Sequence, residues 1–230
     1  MNMQLEDNPK PLLGADNNAL VALLAVNLMS YVLLGLIKVV YYLESLPLEQ
    51  FYAQIFQPFT LSGNWLQHPW SLFTYNWIQD GFWILFGNMI WLTAFSNTLQ
   101  NRGANKHLFP IYFYSGVVAA IVFLLVGANE PLMGAGVSVT GLVLANMALH
   151  PHYKLLPNLA GGIPLWILGM VYLSVQGYAL LDASLAVDLA TIGGGLMGVV
   201  YVLFLKKGKD LGRWMHQLVH YLNNILAPKS

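Results

Sequence analysis

The sequence predicts an all-α membrane protein: a bundle of six transmembrane helices with a long interfacial first loop and a C-terminal amphipathic helix. Three observations carry this. Of 230 residues, 57% are hydrophobic and 9% charged, against the roughly 25% charged residues of a soluble domain. Six stretches reach or approach the roughly 20 apolar residues that cross a bilayer: 18 to 41, 81 to 99, 108 to 128, 135 to 149, 161 to 180 and 185 to 205. Basic residues then fall on alternate connections.

The first segment, MNMQLEDNPKPLLGADN, is polar and lacks a basic n-region, and the apolar run after it is too long for a signal-peptide core. Span one is therefore expected to be retained, behind a tail of residues 1 to 17. Lys10 precedes it, Arg102 and Lys106 separate spans two and three, and Lys154 separates spans four and five. Lys206, Lys207, Lys209, Arg213 and Lys229 follow span six, while the opposite loops hold Glu44, Glu49, Asp80, Glu130 and Asp182. The positive-inside rule then places both termini in the cytoplasm. Lys38, near the end of span one, is expected to snorkel to the interface.

Residues 43 to 77 are too polar to span and too aromatic for a solvated loop, so they are expected to lie in the outer interface. Beyond the membrane domain of residues 18 to 206, the segment 207 to 230 carries Leu211, Trp214, Met215, Leu218, Leu222, Ile225 and Leu226 on one helical stripe. That pattern is an amphipathic helix for the cytoplasmic leaflet or a partner. The absence of cysteine excludes thiolate chemistry and Cys-based metal centres. No feature supports nucleic-acid binding, and no cofactor is expected.

The segment HPWSLFTYNW, the following Gln79, Asp80, Gly81, Phe82, Trp83, Ile84, Leu85, Phe86, Gly87, Asn88, and the glycine-rich start of span four resemble the rhomboid family of intramembrane serine proteases. The resemblance runs from about Trp65 to Arg213. In that family the second helix begins H-E-G-F-W-H-x-x-x-N, the nucleophile motif G-x-S-[GA] heads the fourth helix, and the sixth reads A-H-x-G-G-x-x-x-G. Here the corresponding strings are Gly134, Ala135, Gly136, Val137, with Pro151 closing the helix, and Ala190, Thr191, Ile192, Gly193, Gly194, Gly195, Leu196, Met197, Gly198.

By this resemblance Gly136 stands at the nucleophile and Thr191 at the general base. Ile84 replaces an oxyanion-binding histidine, and Asn88 is retained. Acyl transfer needs a hydroxyl and a base within about 2.6–3.2 Å of it, and neither glycine nor threonine supplies these roles. Ser138, two residues on, is turned roughly 200° around the helix, away from span six. No histidine falls inside a predicted span; His68 lies in the outer loop, and His107, His150, His152, His216 and His220 lie in cytoplasmic segments. The expectation is a proteolytically inactive rhomboid-like protein of a bacterial inner membrane. It would bind transmembrane partners as scaffold, adaptor or complex subunit. The alternatives are a protease using Ser138 and a small-solute channel or transporter.

Gly193, Gly194 and Gly198, with Ala190, form a small-residue ridge read as a tight contact of spans six and four, or alternatively as a homo-oligomer face. Asn88 is expected to hydrogen-bond the glycine-rich loop, and Ser138, Thr140 and Asn146 to bond between helices. Trp77, Phe82 and Trp83 form the candidate groove for a client helix, a role the resemblance implies. His216 and His220 have metal-compatible spacing, and His150 and His152 share their side of the membrane. No carboxylate pattern joins them, so no metal site is expected.

Overall fold

The computed structural model describes residues 18–101, 104–127, 130–155, 162–179, 181 and 183–226. The expected N-terminal tail, Arg102, Asp182 and Lys229 lie outside the described residues, as do the side chains of His220, Leu222, Ile225 and Leu226. The helices are α1 (Asn18–Leu43), α2 (Leu48–Phe51), α3 (Ser71–Thr74), α4 (Phe82–Asn101), α5 (Leu108–Val126), α6 (Gly136–Leu149), α7 (Leu165–Ala179), α8 (Leu185–Lys206) and α9 (Arg213–Leu226). Helices α1 and α4 to α8 overlap the six predicted stretches; among the described residues, three segments, Ala19–Leu43, Asn105–Val126 and Leu185–Lys206, are long and apolar enough to cross a membrane, while α6 and α7 are shorter apolar helices. Helices are the expected solution, because backbone polar groups in hydrocarbon must be satisfied within the segment.

α6 is the centre of the bundle. Val137 to Val143, Ala145 and Asn146 are all buried, and the helix touches α4, α5, α7 and α8. It has only 14 residues, about 21 Å at 1.5 Å per residue, less than the roughly 30 Å of hydrocarbon. It is followed by a turn at Pro151 and His152. α7 is also shorter than predicted. Its start is delayed to Leu165 by a two-stranded antiparallel hairpin, β1 (Lys154–Leu155) with β2 (Ile163–Pro164), which the apolar run concealed.

The small-residue ridge of α8 is intramolecular. A Cβ on Gly198 would run into the Gly141 carbonyl of α6, one on Gly194 would lie 2.9 Å from the Ser115 carbonyl of α5 and 3.2 Å from the Val137 carbonyl, and one on Gly193 would meet Val122. The backbones therefore approach as closely as lipid-embedded helices allow. The ridge serves α5 as well as α6, so the pairing with span four alone was incomplete.

The outer loop is folded onto the bundle by its aromatic residues. It contains α2, a π-helical turn at Tyr52–Phe56, α3, and 3₁₀ turns at Gln57–Phe59, Trp65–Gln67 and Tyr75–Trp77. Phe51, Phe56, Leu61 and Tyr75 are buried. Leu61 and Leu132 exchange two backbone hydrogen bonds of 3.0 and 2.7 Å, tying this loop to the start of α6. Lys38 does not simply snorkel: its ammonium donates to the Tyr52 hydroxyl at 2.6 Å and lies 4.8 Å from that ring's centre.

Candidate functional site

Gly134 has φ +96°, a backbone conformation that glycine adopts without Cβ strain, and its N–H donates to the Tyr75 carbonyl at 2.8 Å. This turn aims the first residue of α6, Gly136, at the space between α4 and α7. A Cβ on Gly136 would lie 3.7 Å from Asn88 Oδ1 and 3.7 Å from Gln176 Nε2, the only groups of other elements within 4 Å among the described residues. Gly136, Asn88 and Gln176 are all half-buried, so this floor is reachable.

Below it, α4 and α7 close on each other. Tyr172 lies edge-on to Trp91 at 5.3 Å and to Phe95 at 6.3 Å between ring centres. The Tyr172 hydroxyl donates to the Gly136 carbonyl at 3.2 Å and lies 2.8 Å from that of Thr140. Above this clasp, Phe82, Trp83 and Phe86 on α4 and Val175 and Tyr178 on α7 are exposed. The space between α4 and α7 beside Gly136, here called the cleft, is thus faced by two amides and flanked by exposed apolar side chains.

Of the predicted groove residues, Phe82 and Trp83 pack together at 5.3 Å and both meet Phe86. Trp77 stands apart, half-buried, with its indole N–H lacking a hydrogen-bond partner. Ile84 is 56% exposed, on the outer surface of α4.

Asn88 does not bond the glycine-rich loop as expected. Its Nδ2 donates to Gln79 Oε1 at 3.0 Å, Gln79 Nε2 donates to Asn27 Oδ1 at 3.1 Å, and Asn27 Nδ2 donates to the Leu23 carbonyl of α1 at 2.8 Å. Gln79 stands between Asn88 and the loop, since a Cβ on Gly134 would lie 3.3 Å from Gln79 Oε1. A relay of three amides thus links the cleft floor to α1.

Ser138 points the other way, as its helical phase requires. It is fully buried, and its hydroxyl donates to Asn76 Oδ1 at 2.8 Å, with Gly116 of α5 making room for both. Thr191 is buried and donates to the Val187 carbonyl of its own helix at 2.8 Å. Thr140 joins α6 to α7 as expected. Asn146 instead bonds its own helix at Leu142, at 2.8 Å, and its Oδ1 has no hydrogen-bond partner among the described residues.

Gln176, Tyr172, Asn76 and Asn27 were not singled out from the sequence. A lone amide in an apolar span is itself a signal, and it would have found Asn27 and Gln176. Asp188, in the first turn of α8 with one buried carboxylate oxygen lacking a hydrogen-bond partner, was missed for the same reason.

The Rhomboid domain family model matches residues 66–208. The chain belongs to the rhomboid family. The matched residues include all of α4 to α8, and hence every wall of the cleft, which makes the protein an all-α rhomboid membrane bundle. No curated protein matches the chain.

Where α9 begins, His216 is brought to His107 and Asp210 rather than to His150 and His152. Burial lowers the His216 pKa below its ordinary value, an effect only partly opposed by the Asp210 carboxylate.

Proposed function

We propose that this rhomboid-family protein is proteolytically inactive and recognises a transmembrane segment of a partner protein in the cleft between α4 and α7. One observation carries the reading: the side-chain position of Gly136 is faced by the amides of Asn88 and Gln176, the only groups of other elements within 4 Å among the described residues. A cleft floored by amides can hydrogen-bond exposed carbonyls or polar side chains of an inserted helix. It lacks the hydroxyl and adjacent base of acyl transfer. The exposed aromatic and aliphatic sides suit the apolar surface of such a helix.

The use of Ser138 as nucleophile is disfavoured by its complete burial and its hydrogen bond to Asn76. The basic residues Lys106, Lys154, Lys206, Lys207, Lys209 and Arg213 support a cytoplasmic membrane location with both termini on the cytoplasmic face.

The test is photocrosslinking in native membranes from Phe86 and Val175, with Leu125 of α5, 81% exposed, as the control. Expected is one membrane protein captured from both cleft positions, with the adduct mapped to its membrane-spanning segment, and none from Leu125. Equal capture from Leu125 would remove the cleft from the argument. Cleavage of a transmembrane reporter that Ser138→Ala abolishes would overturn the non-proteolytic reading.

A further inference from the structure

The corner where α9 leaves the bundle brings together three residues from distant parts of the chain. His107 ends the 3₁₀ turn Asn105–His107 ahead of α5, Asp210 lies between α8 and α9, and His216 is in the first turn of α9. One donor atom from each lies within 4.8 Å of the others. Asp210 Oδ1 is 3.7 Å from His107 Nδ1, Asp210 Oδ2 is 3.7 Å from His216 Nε2, and the two imidazole rings are 6.0 Å apart at 74°.

The surroundings fix this geometry before any ligand arrives. Asp210 Oδ1 accepts from the Gly212 N–H at 2.8 Å and from the Tyr201 hydroxyl at 3.2 Å, which leaves Oδ2 directed at His216. Tyr201 Oη also lies 3.0 Å from His107 Nδ1. The corner itself is held by Trp214 Nε1 donating to the Tyr114 hydroxyl at 2.6 Å, and by that hydroxyl donating to the Leu211 carbonyl at 3.0 Å. His216 Nε2 is buried and, among the described residues, makes no hydrogen bond. Buried polar atoms ordinarily have a partner, and a buried imidazole nitrogen facing a carboxylate oxygen without one is short of a proton or a cation.

We propose that His107, Asp210 and His216 form a binding site for one divalent transition-metal ion of the zinc class. Two imidazole nitrogens and one carboxylate, with a fourth position left for water, are a ligand set that such ions take at about 2.0–2.2 Å, which puts tetrahedral donors about 3.3 Å from one another. One donor atom from each residue already lies within 4.8 Å of the others, and each imidazole is 3.7 Å from a different oxygen of Asp210, so side-chain movement brings the three to that spacing. Tyr201 then orients the carboxylate from outside the coordination sphere, as outer-shell donors do. Lys106, whose positive charge acts on both imidazoles, is outweighed by the direct bonds to the ion. The bound metal fastens α9 to α5 and α8, fixing how the amphipathic helix leaves the membrane domain.

The experiment uses the full chain, purified in detergent through a tag without histidine. It is titrated with Zn²⁺ against a chromogenic chelator and with Co²⁺ for the visible bands of a tetrahedral site. Expected are one metal per chain, a tetrahedral Co²⁺ spectrum, and a Tm that rises with Zn²⁺ concentration, all retained in His152→Ala. His216→Ala and Asp210→Asn lose stoichiometric binding and the metal-dependent Tm shift. Tyr201→Phe keeps the stoichiometry with affinity lowered about 10–100-fold. His216 is 30% exposed in its side chain, so its alanine variant decides the matter if His107→Ala fails to fold. A wild-type protein that takes up no stoichiometric metal, or a His216→Ala variant that binds as well, overturns the site and leaves a polar cluster whose variants lower only the metal-free Tm.

Discussion

The Ser138 hydroxyl is held at 2.8 Å by the Asn76 side-chain oxygen, with Ser138 fully buried and Asn76 6% exposed. The hydroxyl of the central helix is thereby committed to joining α6 to the outer loop. Ser138→Ala orphans a buried acceptor, and is expected to cost about 1–3 kcal/mol. Thermal unfolding in detergent reads the loss. A fluorophosphonate probe is expected to label wild type and variant equally little, and Ser138-dependent labelling would reverse the assignment.

The contact between Gly198 and Gly141 has the opposite sensitivity. A Cβ at Gly198 meets the Gly141 backbone, which cannot rotate away as a side chain can. Gly198→Ala is expected to destabilise by about 1–3 kcal/mol or more, through separation of α8 from α6. Gly35 in α1 has nothing within 4 Å of its Cβ position. Gly35→Ala is therefore expected to be neutral or to stabilise by up to about 1 kcal/mol, as alanine does in helix interiors. Parallel melting curves of the two variants separate crowding from propensity.

What could be read before the structure follows from how local each signal is. Six helices were legible because the bilayer imposes length and apolarity on each segment separately. The outward turn of Ser138 was legible because helical phase is set by residue count alone. The amide relay from Asn88 to Asn27 was not, because it crosses three elements and rests on side-chain orientation. The grouping of His107 with Asp210 and His216 was hidden for the same reason, since His107 and the other two lie on opposite sides of most of the membrane domain in sequence. The β1–β2 hairpin escaped notice because its four residues carry no alternation strong enough to stand out from the apolar run that follows.

The amide relay makes a prediction about coupling. Gln79 is 3% exposed and bonds both Asn88 and Asn27, so Gln79→Ala leaves two amides short of a partner. The expected loss is about 1–2 kcal/mol, the scale of polar contacts within membrane bundles. Asn88→Ala removes one end of the relay and is expected to cost less. In a double-mutant cycle the two losses are expected to be sub-additive, because both substitutions break the same hydrogen bond. Strict additivity would mean that the relay does not act as a unit.

Gly136 offers the most direct test of whether the cleft retains chemistry. A side chain there meets Asn88 Oδ1 and Gln176 Nε2 at 3.7 Å, ordinary contact distance, and Gly136 does not have a positive φ. Gly136→Ser is therefore expected to fold with a stability change within about 0.5 kcal/mol. Its hydroxyl would face two amides, and a serine nucleophile needs a base within about 2.6–3.2 Å. The Thr191 hydroxyl is already donated to Val187 at 2.8 Å and is no base near neutral pH. Fluorophosphonate labelling and reporter cleavage are both expected to stay at background in Gly136→Ser. If either rises, a proton acceptor does reach Gly136, and the rhomboid chemistry would lack only its nucleophile.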